Sequence, residues 1–132
     1  MDDELHYEVD GHVGVITLNR PEARNALTWR TYAMLEEAVR STTARCLVVT
    51  GADPAFCSGD DVKLVMGGGE RPPDVASAER GGPRLTPAAD ALLHTNVPVI
   101  AAVNGAAVGG GPYDAVLRWA NGKLVRAAAG RE

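Results

Sequence analysis

Two short apolar runs constrain the fold of this chain more than any other feature: Arg45 to Gly51 (RCLVVTG) and Val97 to Gly105 (VPVIAAVNG). Both are too short for a helix and rich in β-branched residues, so each reads as a buried strand of a parallel sheet. A turn of small residues follows each run, CSGDD after the first and VGGG after the second, and the second turn feeds the helix-like segment PYDAVLRWA. The order strand, small-residue turn, helix start therefore occurs twice, which points to an α/β domain. No longer internal repeat is present.

The flanking segments fill in a single domain over residues 1–132. Two alternating segments around Asp10-Gly11 predict a hairpin over about Leu5 to Asn19, and that dipeptide suits a type I′ turn. A polar loop, RPEARNAL, precedes TWRTYAMLEEAVR, in which Thr31, Leu35, Ala38 and Val39 share one helical face and Thr28 is placed to cap the first turn. Val65 to Pro83 is rich in Gly, Pro, Glu and Arg with no apolar period, so residues 65–83 read as a mobile surface loop. Leu85 to Leu93 has a short helical pattern. Residues 112–132 form a tail that continues neither pattern clearly.

Composition narrows the function classes. The chain is 45% hydrophobic and 23% charged over 132 residues, enough for a moderate core. A formal charge of -4 and a pI near 5.3 supply no basic field for a nucleic acid or an anionic membrane, so neither is an expected partner. The opening MDDELHYEVD is acidic where a signal peptide is basic and then apolar, and no stretch is long enough to span a bilayer; the expected location is cytoplasmic. Cys46 and Cys57 lack the spacing of a metal pair or a disulfide framework and read as small buried residues, while His6, His12 and His94 are scattered, so no metal site is expected.

The turns carry the chemistry. Small residues let the backbone approach a ligand closely, and free amides there and at a helix N-terminus are partly positive. Two such amides, one from each turn, can converge on one oxygen and form an oxyanion hole that needs no particular side chain. The alternatives are plain ones. Glycine clusters often mark only tight turns, the Asp60 and Asp61 side chains read best as solvated turn residues, and Arg24 is as readily an ordinary surface arginine. Ser58 lies outside a G-x-S-x-G frame and has no evident base.

The blocks VGVITLNRPEARNAL, CLVVTGADPAFCSGDDV and PVIAAVNGAAVGGG, in this order and spacing, resemble signature blocks of the crotonase superfamily, the enoyl-CoA hydratases and isomerases. The resemblance covers roughly Gly11 to Gly111 and matches the N-terminal portion of a family member. It implies a crotonase-like α/β fold, the spiral of ββα units shared with ClpP, here truncated. It also implies a role in fatty acid metabolism, with an acyl-CoA thioester as substrate, no permanently bound cofactor, and a homo-oligomer, trimer or hexamer. The oxyanion hole implied is the pair of backbone amides of Asp60 and Gly110. Ala23 and Arg24 resemble the segment lying along coenzyme A, with Arg24 contacting phosphate, and Asp61, Val62 and Lys63 would line the acyl or pantetheine channel.

The chain also departs from the family. Hydratases commonly carry a catalytic glutamate two residues after the third glycine of the second cluster, and Tyr113 stands there, between Pro112 and Asp114. A phenol with an ordinary pKa of about 10 is no substitute for a carboxylate near neutral pH. The family's second acid lies beyond Glu132. Two readings of function follow: stabilisation of a thioester enolate in a hydratase or isomerase, and a non-catalytic acyl-CoA-binding fragment or pseudoenzyme. Whether the chain is an enzyme stays open at this point, as does a third option, an interaction domain without a CoA site.

Overall fold

The computed structural model describes residues 3–59, 61, 86–107 and 127–128. The loop expected over 65–83 and most of the 112–132 tail lie outside the described residues. Strands β1 (Leu5–Asp10) and β2 (Val13–Leu18) form the expected hairpin, in register from Leu5 opposite Leu18 to Asp10 opposite Val13. The turn is not the expected type I′. Asp10 is drawn into the strand as the partner of Val13, which leaves Gly11 and His12 as the central residues. Only Gly11, at φ 60°, is left-handed, whereas type I′ requires both.

After a single 3-10 turn at Pro21–Ala23, helix α1 (Trp29–Ser41) carries the chain across to β3 (Cys46–Gly51). Thr28 caps α1 as its sequence suggests: its hydroxyl accepts the Thr31 amide at 3.1 Å, and the Thr31 hydroxyl returns a contact to the Thr28 amide at 3.4 Å. All four residues assigned to the buried face are buried, together with Tyr32. Helix α2 (Pro87–His94) begins two residues later than its pattern suggests, because Thr86 is its cap and Pro87 is tolerated in the first turn. It leads into β4 (Val99–Val103).

β3 lies parallel to both β2 and β4, and a two-residue strand β5 (Ala127–Ala128) pairs parallel to β4, giving the order β1-β2-β3-β4-β5. Ile16, Leu18, Leu47, Val49, Val99 and Ala101 form one cluster with Tyr32, Leu35 and Val39 of α1 and Ala88, Ala91 and Leu92 of α2. The helices thus cover one face of the sheet. Cys57, beyond β3, is buried as expected, but burial alternates along β3 and leaves Cys46 only half-buried on the other face.

Candidate functional site

The segments that lead into the two small-residue turns meet. The amides of Phe56 and Cys57 both reach the Ala106 carbonyl, at 3.0 and 3.1 Å, and Cys57 forms a parallel bridge with Ala107. Asn104, just beyond β4, ties the turns further: its Oδ1 accepts the Gly51 amide at 3.2 Å and its Nδ2 donates to the Asp53 carboxylate at 3.2 Å. The backbones are so close that a Cβ on Gly105 would lie 2.6 Å from the Pro54 carbonyl oxygen. Gly59, at φ 96°, takes a conformation that L side chains rarely adopt, and so turns the chain at the residue before Asp60. Ala107 is three residues before Gly110. Asp60 and Gly110 themselves, like Val62, Lys63 and Tyr113, lie outside the described residues.

The RPEARNAL loop wraps the first turn. Its carbonyls at Ala23 and Arg24 accept the Ser58 hydroxyl at 3.2 Å and the Ser58 amide at 3.0 Å. Leu27 pairs on both sides of residue 60, donating to the Gly59 carbonyl and accepting from the Asp61 amide, each at 2.8 Å. Ser58 therefore holds a loop, and its hydroxyl faces a carbonyl rather than a base. Arg24 has an exposed side chain on a left-handed residue at φ 51°, beside the half-buried Ala23. The Asp61 side chain is not solvated: its carboxylate receives Arg20 Nη1 at 3.1 Å and is 15% exposed.

Four polar residues that sequence reasoning passed over organise this region. Asn25, buried and left-handed at φ 57°, accepts the Arg20 amide at 2.8 Å and donates to the carbonyls of Ala52 at 2.9 Å and Ala55 at 2.8 Å. Arg20 also donates from Nη1 to the Ala26 carbonyl at 2.8 Å, and its Nε lies 3.8 Å from Glu4. The Glu4 carboxylate takes the hydroxyls of both Thr28 and Thr31. A negative group there also suits the positive N-terminus of α1. Asn104 is the fourth. The one local signal was asparagine itself, the non-glycine residue most at home in left-handed backbone.

No group of three or more His, Cys, Asp or Glu comes together among the described residues. His6 is bonded to Asn19 and His94 to Asp90. No helix among the described residues is long and apolar enough to cross a membrane. A cavity of about 380 Å³ near the C-terminal ends of α1 and α2, lined by Val39, Arg40 and His94 among others, shares no residue with the two turns.

Parallel strands β2, β3 and β4, with the segments after β3 and β4 bridged at Cys57 and Ala107, are the frame on which the fold can be compared with solved structures, and that comparison gives a crotonase-type α/β fold. Among solved structures, a probable enoyl-CoA hydratase/isomerase from Mycobacterium abscessus superposes with a TM-score of 0.60 at 32% identity, over 78% of this chain and 38% of that one. The chain belongs to the enoyl-CoA hydratase/isomerase family, whose model matches residues 8–116. It is 42% identical over 116 residues to a probable enoyl-CoA hydratase, EchA14, of Mycobacterium tuberculosis, covering 83% of this chain and 42% of that protein. It is 40% identical over 115 residues to the (E)-benzylidenesuccinyl-CoA hydratase of Thauera aromatica, covering 79% of this chain and 40% of that protein. The chain thus spans about two fifths of the length of these curated relatives.

Proposed function

We propose that this chain contributes the oxyanion hole of an enzyme acting on acyl-CoA thioesters, of the enoyl-CoA hydratase or isomerase type. The observation that supports the reading is the junction through Phe56, Cys57 and Ala106 of the two segments that lead toward Asp60 and Gly110. In hydration, water loses one proton to a base or to solvent as its oxygen bonds to the β-carbon, and the π electrons of the alkene move onto the thioester carbonyl oxygen. The enolate then re-forms its carbonyl as the α-carbon takes one proton, so that H and OH have been added across the double bond. Two amides aimed at the carbonyl oxygen stabilise the enolate, one such donor being worth about 2.7–4 kcal/mol. Arg24, exposed beside the turn, is the proposed phosphate contact on coenzyme A, next to Ala23, with Val62 and Lys63 lining the channel. Asp61 serves this site by holding the turn through Arg20, which supports a positioning role over contact with the acyl chain. A homo-oligomer belongs to the same reading on the strength of the resemblance alone, and a cytoplasmic location remains the default expectation.

Tyr113 at the expected glutamate position favours a second reading, a non-catalytic acyl-CoA binder. Calorimetry with crotonyl-CoA and a hydration assay on the same sample separate the two: turnover supports the enzyme, binding without turnover supports the binder. The hole is tested by Asp60→Ala against Gly110→Pro, since the first keeps its amide and the second removes one. Weak loss in the first and strong loss in the second are expected; equal losses in two folded variants would refute a backbone hole.

A further inference from the structure

The geometry points to Arg20 as the positioning residue of the first turn, an inference that rests on reading this turn as half of an oxyanion hole. Arg20 Nη1 donates at once to the Ala26 carbonyl at 2.8 Å and to the Asp61 carboxylate at 3.1 Å. Between these acceptors lies Leu27, whose amide and carbonyl are paired with Gly59 and Asp61. The guanidinium therefore bridges the two chains alongside the rungs that flank residue 60.

Peptide planarity gives this bridge its reach. The carbonyl of Gly59 and the amide of Asp60 belong to one rigid unit, so whatever fixes the carbonyl fixes the direction of the amide. Arg20 is itself restrained: Asn25 accepts its backbone amide at 2.8 Å, Glu4 lies 3.8 Å from Nε, and the side chain is 16% exposed. A rigid, planar fork suits two acceptors in fixed directions better than the point charge of lysine. By joining the loop to the turn, Arg20 makes the proposed coenzyme A contact and the proposed oxyanion donor parts of one body.

The test is amide hydrogen exchange by NMR on the unmodified chain and on Arg20→Met, Arg20→Lys and Asp61→Asn, with calorimetry against CoA and crotonyl-CoA. In Arg20→Met the Leu27 and Asp61 amides should exchange about tenfold faster while Val48 and Val49 in β3 keep their protection. Arg20→Lys should recover part of the loss. Asp61→Asn, which removes the charge from the other end, should move the same amides and carries the readout if Arg20→Met does not fold. Unchanged exchange at Leu27 and Asp61, or faster exchange shared equally by β3, overturns the role. In the calorimetry, any preference of the unmodified chain for the thioester over free CoA should fall in Arg20→Met with CoA affinity kept; a preference retained despite faster exchange also overturns it. An unmodified chain that binds neither ligand refutes the proposed function, and the exchange arm still decides whether Arg20 fixes the turn.

Discussion

Asn25 is the residue whose loss should be felt most widely. Replacing it with alanine removes the acceptor of the Arg20 amide and the donors to Ala52 and Ala55, all inside a site where Asn25 is 1% exposed. The Ala55 carbonyl keeps a long contact of 3.5 Å from Asn104, so the Arg20 amide and the Ala52 carbonyl suffer most. An orphaned buried polar group costs about 1–3 kcal/mol, and alanine at φ 57° adds about 1 kcal/mol of backbone strain. The expected destabilisation is about 4 kcal/mol, a large share of the roughly 5–15 kcal/mol that holds a typical domain together. Asn25→Gly keeps the orphaned groups and relieves the strain, so it should be milder by about 1 kcal/mol. Urea denaturation followed by far-UV circular dichroism measures both. An Asn25→Ala variant within about 1 kcal/mol of the parent would refute the claim that this side chain ties the loop to the turn.

Two further perturbations probe the parts around it. Thr28→Ala removes the acceptor of the Thr31 amide and the hydroxyl that reaches Glu4, and should cost about 1–2 kcal/mol with Thr28→Ser nearly neutral; equal thermal midpoints for Thr28→Ala and the parent would contradict the cap. Gly105→Ala forces a methyl to 2.6 Å from the Pro54 carbonyl unless the turns part, so a loss of about 1–3 kcal/mol is expected by chemical denaturation. Unaltered stability there would mean that the turns are not held in contact.

Much of the fold was legible because it depends on patterns local in the chain. The buried face of α1, its Thr28 cap and the strand character of β3 and β4 follow from side-chain period and β-branching, which tertiary packing reinforced. The expected type I′ turn failed for a cross-strand reason: pairing Asp10 with Val13 moves the turn by one residue. Asp61 looked like a solvated turn residue because its partner Arg20 is 41 positions away, a separation that no local pattern encodes.

The sequence by itself determined the alternation of strands and helices and the family, through residue types whose preferences act over a few positions. It also raised the expectation, on which the proposed function rests, that chemistry gathers at the two turns. Only the tertiary structure decided that the segments leading into these turns touch at Cys57 and Ala107, and that Arg20, Asn25, Asn104 and Glu4 brace that region. A buried polar side chain is specified by the groups it must satisfy, and those groups become its neighbours only when distant segments fold together.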